Sequence, residues 1–185
     1  MNELLQETLE EGEKVLWEGK CEDFEVMDPI YKKRIIIGWI VGGIFMLAAT
    51  IMFVRACMTN PISFGKICIF CAFVYIMPIW LMISPWFEKK QLTNKTTYYL
   101  TNLRAIVLSK DMVTKMVISK DMPWFVDAMP NGCGNLYINT NKKIRSPRNW
   151  SIHGITTTDD GETKVGAMLF YNVKNADAVA KEFFA

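Results

Sequence analysis

Cys68 and Cys71 form a Cys-x-x-Cys pair, the spacing of a thiol redox centre or of half a zinc site. Both fall inside a strongly apolar block with no nearby His and no second such pair, surroundings that disfavour the thiolate either chemistry needs. They read as small packing residues. Cys21, Cys57 and Cys133 are isolated in sequence, and spacing alone leaves open whether Cys57 pairs with Cys68 across the intervening loop. The single histidine, His153, lies in a run of alternating polarity with no serine or cysteine signature beside it, so a structural role is expected rather than a triad. Asp159, Asp160 and Glu162 around Gly161 match a hairpin turn and lack the series of oxygen donors a calcium loop requires. No catalytic residue, metal or cofactor is therefore expected.

The strongest candidate for binding is basic. Residues 128–158 contain no acid, while Lys142, Lys143, Arg145 and Arg148 cluster beside Trp150. Near a membrane each cation adds about 1 kcal/mol of attraction to anionic lipid, screened by salt. The cluster fits an anionic lipid headgroup or an acidic protein surface; the competing reading is a solvated loop between strands. Nucleic acid is not expected, since the patch is short and no binding motif accompanies it. Asn94-Lys95-Thr96 and Asn149-Trp150-Ser151 have the spacing of glycosylation acceptors, which a cytoplasmic domain would never use.

The elements that carry these residues follow from hydropathy. Residues 35–54 hold 16 apolar residues in 20, broken only by Gly38, Gly42, Gly43 and Thr50; residues 67–83 hold 16 in 17, broken only by Pro78. Neither block contains an ionisable acid or base or shows the polar stripe of a soluble helix. At about 1.5 Å rise per residue, 20 residues cross the roughly 30 Å of hydrocarbon, and the second block does so if Pro85, Trp86 and Phe87 continue it. A membrane hairpin is expected, with spans at 35–54 and 67–87 and a short external loop at 55–66. The acidic leader ahead of it does not resemble a cleavable signal.

Lys32, Lys33 and Arg34 before the first span and Lys89, Lys90 and Lys95 after the second outnumber Arg55 and Lys66 in the loop, which puts both termini in the cytoplasm. Tyr31, Trp39, Trp80, Trp86 and Phe87 suit an interfacial aromatic belt. Gly38 and Gly42 form a small-xxx-small pair for close helix packing, either within the hairpin or between copies in a homo-oligomer. Pro78 is expected to kink the second span. The whole chain's net charge of +2 conceals segments of opposite sign: −5 over the leader (1–34), +2 over 35–84 and +5 over 85–185. Leader and C-terminal region could thus attract one another, or the latter could lie against an anionic leaflet.

From residue 96 onward, β-prone runs alternate with Asn, Gly, Asp and Pro. Strands are expected near 97–102, 104–109, 114–119, 124–128, 135–139, 150–155 and 167–172. The sixth has Trp150, Ile152 and Gly154 on one face. Asn175 is a plausible N-cap for a closing helix in which Ala176, Val179, Ala180 and Phe183 form the apolar stripe.

Three stretches carry a family resemblance: TYYLTNLRAIVL at 97–108, GNLYI at 134–138 and LFYNVKNADAVAKEF at 169–183, with GEKVLWEGK at 12–20 as a leader. In these the chain resembles the membrane-anchored bacterial pleckstrin-homology-like family. The resemblance implies a mainly β, seven-stranded barrel or sandwich over 96–185, capped by the C-terminal helix and used for binding and assembly rather than chemistry. It carries over no ligand residues, because the family supplies no agreed binding motif. The reading that follows is a multi-pass protein of the cell (inner) membrane whose domain scaffolds or binds. Its partners would be the bilayer, an anionic lipid or a protein. The alternatives are an oligomeric transport or channel subunit, which the absence of ionisable residues in the spans disfavours, and a thiol oxidoreductase using Cys68 and Cys71.

Overall fold

The computed structural model describes residues 3–27, 31–59, 63–110, 112–129, 131–141, 155–159 and 162–184. The chain divides into two compact units, residues 25–89 and a discontinuous unit of 1–24 with 90–185.

The first unit is helical. Helix α2 spans Lys32–Thr59, and a second helical stretch runs through α3 (Phe64–Cys71), a wide π-helical turn (Ala72–Ile76) and α4 (Met77–Lys95). Both helices are long and apolar enough to cross a membrane, and only 6% and 11% of their most apolar windows are buried within the chain. The core hairpin of a soluble protein would be mostly covered. Their greasy residues, Ile44, Leu47, Met52, Phe73 and Leu81 among them, instead face outward. The wide turn has a local cause: Pro78 cannot donate a backbone hydrogen bond to the preceding turn, and a widened turn immediately before it re-routes the free carbonyls. The Trp39 indole Nε1 donates to the Met82 carbonyl at 3.1 Å, and the ring stacks on Trp86 at 5.8 Å. Phe53 stacks on Phe70 at 4.0 Å. Thr50 donates to the Met46 carbonyl at 2.6 Å, and its oxygen lies 2.5 Å from the Tyr75 hydroxyl, a polar clasp between the helices.

The second unit is built from two antiparallel sheets. One has the order β1-β2-β3-β4, from Val15–Lys20, Thr96–Thr101, Arg104–Ser109 and Met112–Val117. The other has the order β5-β6-β8-β7, from Trp124–Ala128, Cys133–Ile138, Glu162–Lys174 and Ile155–Asp159. The seven strands expected from residue 96 onward are present as β2 to β8, and the leader adds an eighth, β1, which pairs Val15 through Lys20 with Thr101 through Thr97. Of the expected barrel or sandwich, the closed barrel does not form: among the described residues there are two antiparallel sheets, and a single bridge, Cys21 to Val173, links them. The strand expected at 150–155 is described only from Ile155, where β7 begins; Trp150 to Gly154 lie outside the described residues.

Alternation explains how the first sheet is covered on both faces. Tyr98, Leu100, Ala105 and Val107 enter the main core with Leu136, Ile138, Met168 and Phe170 of the second sheet. Tyr99, Ile106 and Leu108 point the other way and are covered by Leu5 and Leu9 of the leader, whose helix α1 is Glu3–Thr8. Helix α5 (Ala176–Phe184) closes the second sheet with Ala176, Val179, Ala180 and Phe184 buried. The stripe thus ends on Phe184 rather than on Phe183, which is only partly covered. Asn175 precedes the helix in the left-handed region, at φ +55°, and its carbonyl accepts from the Val179 amide at 3.1 Å.

Candidate functional site

Lys142, Lys143, Arg145 and Arg148 lie outside the described residues, as do Trp150, His153, Asn149, Asp160 and Gly161. Asp159 and Glu162 are partners in the β7–β8 register. The two glycines of the small-xxx-small pair part company. A side chain at Gly42 would meet Met82 Sδ at 3.8 Å and Pro78 Cβ at 3.9 Å, whereas Gly38 has nothing within 4 Å. Gly42 therefore packs the hairpin itself. All five cysteines are free thiols; Cys68 and Cys71 are exposed on α3, Cys57 is exposed on α2, and Cys21 and Cys133 are buried. Burial raises the Cys133 thiol above its usual range, with the Glu22 carboxylate adding to the effect. No group of three His, Cys, Asp or Glu able to hold a metal occurs among the described residues.

The most concentrated polar chemistry is one that spacing did not reveal, because its members stand 91 residues apart. Arg104 on β3 is held over the leader, donating from Nε to Glu13 Oε1 at 3.1 Å, from Nη2 to Glu13 Oε2, and from Nη2 to the Thr8 carbonyl at 3.1 Å. Its Nη1 pairs with Glu10 at 2.7 Å. Thr101 donates to Glu13 Oε1 at 2.6 Å, and the Glu10 amide donates to Oε2 at 2.9 Å. The Glu13 side chain is fully buried, with four donors on its two oxygens. The Arg104 hydrogen bonds, helped by the Glu10 amide and the Thr101 hydroxyl, hold its carboxyl down at about 2 against the opposing effect of burial, and Glu13 in turn raises Arg104. With every lone pair occupied, this carboxylate is a poor general base: it is a clamp.

The other leader residues have equally structural work. Gly12, at φ +82°, turns the chain from α1 towards β1. The Trp17 ring lies over Gly19, where any Cβ would collide with the indole, and stacks on Phe170 at 5.8 Å. The motifs at 12–20 and 97–108 are therefore two halves of one assembly.

A second polar knot ties the end of the leader to β8. Asn172, at φ +49°, donates from Nδ2 to the Glu22 carbonyl at 2.8 Å, and its amide donates to Asn135 Oδ1 at 2.9 Å. The Glu22 amide returns a bond to the Asn172 carbonyl at 3.0 Å. Asn135 is fully buried beside the register shift between Gly134 and Leu136, and its Nδ2 has no hydrogen-bond partner. An open depression of about 330 Å³ beside the start of α5 is lined mainly by apolar groups, including Val126, Met129, Cys133 and Ala176, with Asp177 at its rim. The Cys133 thiol in its lining is the one that burial raises above its usual range.

Comparison of the chain with protein-family models, with curated proteins and with solved structures returns no match in any of the three.

Proposed function

We propose that the chain is a two-span protein of the cell membrane, with both termini in the cytoplasm, that presents a pleckstrin-homology-like module for binding or scaffolding and performs no catalysis. The observation that carries this reading is the pairing of β1 with β2. These strands flank both apolar helices in sequence yet are hydrogen-bonded neighbours in one sheet, Lys20 opposite Thr97. A chain that leaves and re-enters one folded unit crosses a bilayer an even number of times, and the basic flanks assign that unit to the cytoplasm. Two antiparallel four-stranded sheets with a closing helix support the pleckstrin-homology-like assignment. Polar groups committed to holding the leader support binding over chemistry.

The module's ligand is an anionic lipid headgroup or an acidic protein surface, engaged by Lys142, Lys143, Arg145 and Arg148. The anchor makes a weak contact effective by confining the module to the membrane. Reporters fused before Met1 and after Ala185 test the topology: both are active in the cytoplasm, and activity of either one only outside it overturns the reading. For the ligand, the full chain in zwitterionic nanodiscs is captured by anionic vesicles at low salt, and changing the four cations to Ser abolishes capture. Unchanged capture removes that assignment.

A further inference from the structure

We propose that β5 is a docking edge for a second copy of this chain: the two β5 strands pair antiparallel about a two-fold axis at Val126 and join the second sheets of the two copies into one. β5 is the end strand of its sheet, with β6 its one neighbour among the described residues. The ladder assigns its two sides. The Met129 amide donates to the Cys133 carbonyl at 2.8 Å and the Thr140 amide to the Pro123 carbonyl at 3.1 Å, and between them the register from Trp124 with Ile138 to Ala128 with Gly134 runs without a shift. In an antiparallel pair the backbone groups of alternate residues turn towards the neighbour. Positions 123, 125, 127 and 129 therefore face β6, and the N–H and C=O groups of Trp124, Val126 and Ala128 line the open side. Ala128 is exposed, and Trp124 and Val126 are half-buried.

The edges of the first sheet carry features that discourage pairing with another chain. β1 has a register shift between Val15 and Trp17 and exposes Glu18 and Lys20, and β4 exposes Lys115. β5, Trp-Phe-Val-Asp-Ala, has neither bulge nor cation. Its single charge, Asp127, selects a register instead. Outward residues must meet outward residues, so the two-fold falls at 125, 126 or 127. At 127 the two Asp127 side chains would stand directly opposite, like charge against like charge. At 125 Ala128 would lie beyond the paired strand. At 126 every outward residue finds a partner, and Asp127 of each copy meets Phe125 of the other.

That register also matches size. Directly opposite residues share a face of the sheet. Val126 and Ala128 line the open depression beside the start of α5, and Trp124, alternating onto the same face, donates from Nε1 to the Phe184 carbonyl at 3.3 Å at the other end of the helix. Trp124 of each copy is thereby set against the small, exposed Ala128 of the other, beside that depression of about 330 Å³. Pairing takes from water a half-open indole and an apolar hollow that one copy alone leaves uncovered.

Sedimentation of the full chain in density-matched detergent, with Cys57, Cys68 and Cys71 changed to Ala, tests this. A monomer–dimer equilibrium is expected, which Ala128→Pro weakens about thirtyfold, the worth of the two amide donors lost from the pair. The Ala128 amide has no place in the ladder to β6, so the protease resistance of 96–185 is retained. Should the proline cost that resistance, Ala128→Lys places a charge at the same exposed position and carries the same expectation. In the same background, Val126→Cys gives under mild oxidation a disulfide between copies, located by mass spectrometry, because bonded antiparallel partners stand about 5.5 Å apart between Cα atoms. Lys115→Cys, on another edge, gives none. A chain monomeric at every concentration overturns the proposal. So does a dimer that both Ala128 variants leave intact and that the thiols at position 126 fail to link.

Discussion

Glu13 and Arg104 show how a single buried pair can hold a distant segment. Arg104 supplies two of the four donors on the fully buried Glu13 side chain, so removing the arginine strands a buried carboxylate, a loss of about 3 to 5 kcal/mol. Arg104→Ala in the detergent-solubilised full chain is expected to lose about that much and to release the leader to protease, while the double change Glu13→Leu, Arg104→Met recovers most of it. A double variant as unstable as the single would show that the charges themselves are required. The pH dependence has a definite sign. The folded carboxyl titrates near 2 against an ordinary value of 4.5. Its contribution, roughly 3 kcal/mol, is complete above the unfolded value and declines as pH falls from there towards the folded one. The stability gap between wild type and Glu13→Gln therefore narrows over that acid range in denaturant titrations; a gap independent of pH contradicts the assignment.

At the scale of elements, the contrast between neighbouring positions is informative. Phe184 is 5% exposed and enters the core, while Phe183 is partly covered at its margin. Phe184→Ala should cost about 3 kcal/mol by leaving a cavity, and Phe183→Ala about 1 or less, read as shifts in unfolding midpoint. The stripe was legible in the sequence, but its last position was not, because two adjacent phenylalanines satisfy the period almost equally and only the sheet beneath chooses between them. The hairpin offers a parallel test. Gly42→Leu must push into Met82 and Pro78, whereas Gly38→Leu enters open space. Thermal stability in detergent should fall for the first and stay unchanged for the second; a loss at Gly38 instead would indicate a contact with another copy.

For the whole molecule, the decisive feature is that the β-rich unit is discontinuous, with the apolar helices inserted between two paired strands. Deleting residues 1–21 strips the cover from Tyr99, Ile106 and Leu108, orphans Arg104 and bares the edge of β2. Exposed apolar surface and an unpaired strand edge invite aggregation. The truncated chain is expected to reach the membrane but to lose protease resistance over 96–185, seen by limited digestion. A fragment equally resistant to digestion would mean that the leader is dispensable.

The sequence by itself determined the two apolar helices, most strand positions and the closing helix, because hydropathy and turn chemistry are local signals that survive without knowledge of neighbours. Opposite charge on leader and C-terminal region even hinted at their attraction. Only the tertiary structure decided that the leader is a strand of the sheet, that Glu13 belongs to Arg104, and that Asn172 ties down Glu22. Those contacts join residues far apart in the chain, and the identity of a partner across such a separation is set by register and packing, which no local pattern encodes.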